Sequence, residues 1–385
     1  MKKFLDCISI VGATPSKFHG TKKYVSTGAV ATTEIDESEV VEVTYEDRPS
    51  RANLSAEAGD ILFAKMQGTR KTLLLDSETE ENIYSTGFYA VRANPEVITT
   101  ECLYYLIDSE LFLAQKDKNC SGATQKAITN GGMAKIEISV PALSEQGILV
   151  NKLKHLTQLI ADKKKQLNLF DEIIKSRFIE MFGDPVTNLK GWTTKPLLDM
   201  GNCKNGMNFH TGDSGMEMHC LGVGDFKDLS FIDGTDHLPV ISLNEAPPEE
   251  SMLRDGDIVF VRSNGNKALV GRCLVVFPRS TPTTYSGFCI RYRLTSSEVD
   301  TTYLLRVLKT DSMRKKMAGR GANIQNLNQQ ILAALDIPLP PIKLQQAFAA
   351  FVEQVDKSKF YIVQMQILLR LLTRAIQQKT TEVLL

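Results

Sequence analysis

The stretch PALSEQGILVNKLKHLTQLIADKKKQLNLFDEIIKSRFIEMFGDP, from Pro141 to Pro185, decides how the rest of the chain is read. Leu149, Leu153, Leu156, Ile160, Leu167, Phe170 and Ile174 recur at alternating spacings of four and three, with Lys163 at the one polar step. That heptad pattern lets one helix lie along another with interdigitating side chains. Ser144 is read as the N-cap, and Gly183 followed by Pro185 as the stop. A helix of about 38 residues at about 1.5 Å each is about 57 Å long, too long for the inside of one small domain.

The pattern occurs twice. Pro340 lies 199 residues after Pro141, and Gln345 lies 199 after Gln146. The same shift carries the seam onto Phe348, Val352, Val355, Lys359, Ile362, Gln366, Leu369 and Thr373. This second seam is more polar than the first. Two long helices that pack on each other as an antiparallel pair are therefore expected, with Leu149, Leu153, Leu156, Ile160, Leu167, Phe170, Val352, Val355, Ile362 and Leu369 at the packing face.

What precedes each helix also repeats. Gly59-Asp60-Ile61-Leu62-Phe63-Ala64 matches Gly256-Asp257-Ile258-Val259-Phe260-Val261, a tight turn entering a buried strand. A polar, cationic loop follows each: Lys65 to Lys71, and Arg262 to Lys267. Tyr84-Ser85-Thr86-Gly87-Phe88 matches Tyr285-Ser286-Gly287-Phe288, and helices are expected over Thr100 to Gln115 and Thr301 to Met317. The Gly-containing turn Gly122-Ala123-Thr124-Gln125 matches Gly321-Ala322-Asn323-Ile324-Gln325, and strands then exit at Pro141 and Pro340. A repeat of this length is a duplicated domain plus helix, not a solenoid unit. The segments Gly12 to Glu57 and Met207 to Pro248 do not align, so the copies are expected to share a frame and differ in their inserts. The domains expected are 1–142, a helical spacer 143–185, 186–341, and a C-terminal helical spacer 342–385.

At 385 residues and 43% apolar composition, the chain has room for two ordinary globular domains. It holds no run of about 18 apolar residues, so no membrane-spanning helix is expected. Asp6 interrupts any signal-peptide core after Lys2 and Lys3, and a cytoplasmic location is the expectation. Seven scattered cysteines without a C-x-x-C pair are expected to be reduced core thiols. Cys203, His210, His219 and Cys220 fit no zinc spacing, so no metal is expected. Lys plus Arg and Asp plus Glu balance at 45 each, against the basic excess usual in a nucleic-acid binder. The imbalance is local: 1–142 is acidic by five charges and 342–385 basic by three, so a DNA face must be local and helped by a partner. Seven acids between Glu34 and Asp47 disfavour DNA contact there.

No catalytic constellation is present. There is no phosphate-binding G-x-x-x-x-G-K-[ST] loop and no G-x-S-x-G. Asn94-Pro95-Glu96 lacks the aromatic that an adenine-flipping methyltransferase needs, and the five histidines are isolated. The post-strand loops do suit DNA reading. They offer Lys65, Gln67, Arg70 and Lys71 in one copy, and Arg262, Asn264, Asn266 and Lys267 in the other. The Gly-containing turns add Thr124, Gln125 and Lys126, and Arg320, Asn323, Gln325 and Asn326. Arg and Lys reach guanine edges and phosphates, and Asn and Gln pair with adenine. Gly122 and Gly321 are read as letting the backbone approach a phosphate.

On these residues the chain resembles the specificity subunit of a Type I restriction-modification system. The repeated Gly-Asp-Ile turns, the Gly-Ala turns, the exit strands at Pro141 and Pro340, and Phe178-Ile179-Glu180-Met181-Phe182-Gly183-Asp184-Pro185 followed by Gly191-Trp192 carry the likeness, over essentially the whole chain. The resemblance implies an α+β fold. Two duplicated α/β target-recognition domains are separated by two long conserved helices packed as an antiparallel coiled coil. It also implies that each domain reads one half of a two-part site in double-stranded DNA, and that the helices set the gap and dock partners. Those partners are two methyltransferase subunits and restriction subunits, which use S-adenosylmethionine, ATP and Mg2+. This chain itself would be non-catalytic and hold no cofactor. A self-contained methyltransferase or nuclease with fused recognition domains, and a protein-binding scaffold, are the competing readings.

Overall fold

A computed structural model describes the chain except for residues 211, 227–228, 319–325 and 383–385. It forms two compact units, Met1–Gln166 with Ile362–Leu385, and Leu167–Tyr361. The long helices are Leu143–Phe182 and Ile342–Glu382, and each contributes one end to each unit.

The seam positions are the sheltered ones along both helices. Leu153, Leu156, Ile174, Phe348, Val352 and Val355 are buried. Leu149, Ile160, Lys163, Leu167, Phe170, Ile362, Gln366, Leu369 and Thr373 are half-buried between exposed neighbours. In the first unit the Gln366 amide reaches the Ile160 carbonyl at 3.5 Å, while Leu372 and Ile376 line a groove with Asn151 and Leu156. In the second, Lys359 pairs with Asp171 at 2.7 Å, while the Phe348 ring packs on Phe178 and Phe182 at 5.6 and 5.5 Å. In each unit one helix number rises as the other falls, so the pairing is antiparallel. The polar seam steps have partners. Lys359 meets a carboxylate, and the Thr373 hydroxyl donates to the Leu369 carbonyl of its own helix.

The first helix starts one residue before Ser144, so Ser144 is not its cap. The Ala142 carbonyl instead accepts the amides of Glu145 and Gln146. The stop is as expected. Gly183 sits at φ +76°, its amide on the Ile179 carbonyl, and the Trp192 indole donates to Phe182 O at 3.0 Å.

Each unit carries a sheet built on its Gly-Asp-Ile strand. In the first, the order is Ile8–Val11, Phe88–Ala93, Ile61–Ala64, Thr72–Leu74. In the second it is Gly201–Asn205, Cys289–Leu294, Asp257–Val261, Cys273–Phe277, Phe231–Asp233. Ile61–Ala64 and Asp257–Val261 are buried at every residue, which explains their unbroken apolar runs.

The expected single helices after these sheets are each two. Thr100–Ile107 and Glu110–Lys118 are separated at Ser109, and Thr301–Lys309 and Asp311–Ala318 at Thr310. The Ser109 hydroxyl accepts the Phe112 amide and the Thr310 hydroxyl the Met313 amide, restarting the helix in a new direction.

The inserts differ less than their sequences. In the first unit, Val41–Val43, Lys22–Val25 and Ile83–Ser85 form adjacent strands, the second pair parallel. In the second, Val240–Leu243, Met216–Leu221 and Thr283–Tyr285 repeat that order and those directions. The duplication therefore extends into segments that share no alignable sequence.

Two buried polar devices join the parts and occur in both copies. Gln146, fully buried, accepts the Thr99 amide at 2.7 Å and donates to Val97 O and Pro141 O at 3.0 Å each. Gln345 accepts the Asp300 amide at 2.9 Å and donates to Glu298 O at 3.1 Å and Pro340 O at 2.8 Å. Each long helix is thus fastened by one glutamine to the cap of the first short helix. The Asp of each Gly-Asp-Ile turn, 1% exposed, receives a two-pronged arginine. Arg92 meets Asp60 at 2.6 and 3.1 Å, and Arg293 meets Asp257 at 2.8 and 2.7 Å.

Candidate nucleic-acid interface

The two loop types identified in sequence lie side by side in the first unit, and in the second the described end of the turn, Asn326 and Leu327, lies beside the post-strand loop. In the first, the Gln67 amide donates to Lys126 O at 3.0 Å and the Ile128 amide to Lys65 O at 2.9 Å. In the second, Leu327 N donates to Arg262 O at 2.8 Å, and Ser263 bridges to Asn326. A strand-like rung between loops some sixty residues apart therefore builds one composite surface per unit.

The side chains on it divide into two groups. In the first unit, Lys65 donates to Thr86 O at 2.8 Å and lies 4.4 Å from the Tyr89 ring centre, and burial pushes its pKa down. Gln67 donates to Asp117 O at 3.1 Å, and Lys71 to Thr27 O. Arg70 makes a two-pronged pair with Asp108 at 3.0 and 2.8 Å, which raises its pKa. These four fix the loop. Arg70 reaches a base edge only if Asp108 releases it. Thr124, Gln125 and Lys126 are exposed, and among the described residues no polar partner holds their side chains. Gly122 has φ +136°, and a Cβ there would stand 2.5 Å from Gln125 O. That close approach is to its own loop: Gly122 is what lets the turn carry Thr124–Lys126 outward.

In the second unit, Arg262 donates to Gly287 O at 3.3 Å. The Asn264 carbonyl oxygen accepts the Asn266 amide at 2.8 Å, and that of Asn266 accepts the Ala268 amide at 3.0 Å, leaving both side-chain NH2 groups for an outside acceptor. Lys267 and Asn326 are exposed. Arg320, Asn323, Gln325 and Gly321 lie outside the described residues.

Sequence reasoning missed the loop's supports. Lys116 is 2% exposed, and its ammonium donates to Ala64 O at 3.3 Å and to Met66 O and Thr69 O at 2.8 Å. Burial lowers its pKa. Arg314 does the same work in the second unit, donating to Ala268 O at 2.9 Å and Val270 O at 3.5 Å. The signal was present: Lys116 stands four residues after buried Phe112, on the core face of its helix. Among the described residues no three His, Cys, Asp or Glu side chains are grouped to hold a metal, and no helix is long and apolar enough to cross a membrane.

The family described as Type I restriction modification DNA specificity domain matches residues 10–169 and 249–372. The Type I restriction enzyme StySPI specificity subunit of Salmonella potsdam is 27% identical over 292 residues, 70% of this chain and 62% of that protein. The EcoKI specificity subunit of Escherichia coli strain K12 is 23% identical over 327 residues, 77% of this chain and 67% of that protein. The match thus spans less than two thirds of the StySPI subunit. A chain from a structural study of complex assembly and conformational transition of the type I R-M system shares the fold at a TM-score of 0.56. It is 20% identical, with 97% of each chain covered.

Proposed function

The chain belongs to the Type I restriction modification DNA specificity domain family, and from that premise we propose that it is the DNA specificity subunit of a Type I restriction-modification complex. The observation that carries the reading is the composite loop surface present once in each unit: Thr124, Gln125 and Lys126 in the first, Asn264, Asn266, Lys267 and Asn326 in the second. Asn and Gln amides paired with cations are the chemistry of major-groove reading. Each unit reads one half of a two-part sequence in double-stranded DNA, and the long helices, shared between the units, set the gap. The chain itself carries no catalysis and no cofactor. Two methyltransferase subunits supply S-adenosylmethionine chemistry, restriction subunits use ATP and Mg2+, and the complex works in the cytoplasm. Formal neutrality supports the need for partners, which add the phosphate contacts this chain lacks.

The test is substitution of Gln125 and Lys126 by alanine in the chain co-purified with its methyltransferase subunit. Both side chains are free of the fold, so thermal melting stays unchanged while affinity for cognate duplex falls by about 10-fold or more, at about 1–3 kcal/mol per lost base contact. Unchanged affinity would remove the first-unit loop from the reading.

A further inference from the structure

One residue stands in a different place from the one its letters suggest. Tyr285-Ser286-Gly287-Phe288 reads like Tyr84-Ser85-Thr86-Gly87-Phe88 with a residue removed, which sets Phe288 against Phe88. The strands pair otherwise. Phe88 pairs with Ala64 and Cys289 with Val261, the last residues of the two Gly-Asp-Ile strands. The amide of the next residue donates to Gly87 O at 2.9 Å in the first unit, from Lys65, and to Phe288 O at 2.7 Å in the second, from Arg262. The turn is also built alike: the Gly87 amide donates to Ser85 Oγ at 3.1 Å, and the Phe288 amide to Ser286 Oγ at 3.3 Å. No residue is removed, and Phe288 occupies the place of Gly87.

The two phenylalanines therefore have different work. Phe88 is core at 1% exposed, whereas Phe288 is 60% exposed between buried Ser286 and Cys289. A single exposed apolar residue is ordinary, but the position of this one is not. Its counterpart is a glycine, so the frame does without a side chain there. The Phe288 carbonyl also accepts the Ser263 amide at 3.3 Å, while Arg262 O accepts the Leu327 amide at 2.8 Å. Phe288, Arg262–Ser263 and Asn326–Leu327 thus form three adjacent strips, and Phe288 borders the composite loop surface on the side away from Asn326. Its backbone is held at both amide and carbonyl, so the exposed ring stands on a fixed base.

We propose that Phe288 is a specificity-determining residue of the second unit, whose ring packs on the C5-methyl of a thymine in the major groove. The proposal rests on the DNA-specificity reading. Its neighbours suit it. Asn264 follows Ser263, and Asn side chains pair with adenine, whose thymine partner presents its methyl group on the same groove edge; guanine and cytosine present none. The first unit, with Gly87 at this place, reads its half without such a contact.

The test uses the full chain with its methyltransferase subunit and the cognate duplex found by methylation mapping. Each thymine is replaced in turn by deoxyuridine, which lacks only the C5-methyl. At one base pair the affinity of the unsubstituted chain should fall by about 4-fold, the worth of one buried methyl group. Phe288→Ala should lose at least as much on the all-thymine duplex, keep the melting temperature, and no longer distinguish thymine from deoxyuridine at that base pair. Phe288→Leu should restore the distinction. Specific binding that responds to deoxyuridine nowhere, or responds identically in F288A, would overturn the proposal and leave the specificity reading intact; in the second case a loss of affinity in F288A would make the ring a stacking wedge. Loss of the methyltransferase subunit from F288A on co-purification would put the ring in a protein interface and overturn it too. If the complex selects no sequence at all, the specificity reading fails and the thymine contact fails with it.

Discussion

Arginine and aspartate carry most of the recurrent local design. Asp60 and Asp257 were visible in sequence as parts of a turn, but their partners Arg92 and Arg293 stand over thirty residues away, and no local pattern announces that pairing. Their costs should differ with exposure. Arg293 is 18% exposed against 46% for Arg92. Both substitutions leave a buried carboxylate without its cation; with the sheltered arginine, Arg293→Ala should lower stability by about 2–3 kcal/mol, whereas the Arg92 pair is screened by solvent and Arg92→Ala should cost about 1 kcal/mol. Urea unfolding read by hydrogen exchange in each Gly-Asp-Ile strand measures both. Equal costs would mean that the pairs are not what holds the turns. Cysteine gives a second test. Burial pushes the thiols of Cys102, Cys203, Cys220 and Cys289 up to about 12 and Cys273 to about 11. A raised pKa leaves little thiolate at pH 8, so iodoacetamide should modify the half-buried Cys120 before the buried Cys102, Cys220, Cys273 and Cys289, which react on unfolding. Early labelling of Cys102 or Cys289 would contradict their burial.

At the scale of elements, the long helices were legible because a heptad seam is a local, repeated signal, and its polar steps proved to be seam positions too. The short helices were misjudged as continuous because apolar spacing runs on through Ser109 and Thr310, while the break depends on single capping hydroxyls. The kinship of the inserts was illegible for a different reason. It lies in non-local parallel pairing, such as Lys22–Val25 on Ile83–Ser85, and short half-buried strands constrain their sequence weakly. The two loop types of each site were each legible, whereas their adjacency is a product of the fold. Gln146 and Gln345 were visible only as coincident letters, and their role is the clearest element-level prediction. Replacing either with alanine strands a buried amide and two carbonyls, and should cost about 2–3 kcal/mol. Because the two geometries match, Gln146→Ala and Gln345→Ala should lower the unfolding midpoint by similar amounts. A large effect from only one would show that the two junctions are not equivalent.

For the whole molecule, duplication explains both the layout and its asymmetry. Two copies of one body, each fastened to a long helix by the same glutamine, carry two like loop surfaces on one chain. Divergence then falls where it does not disturb the frame: in the inserts and in the loop tips. The most direct measurement is methylation mapping of random DNA by the complex of this chain with its methyltransferase subunit. The account predicts adenine methylation at a two-part sequence with a fixed gap. With Gln125→Ala and Lys126→Ala, one half relaxes while the other half and the gap persist. Methylation at a single continuous site, or methylation that does not depend on this chain, would contradict it.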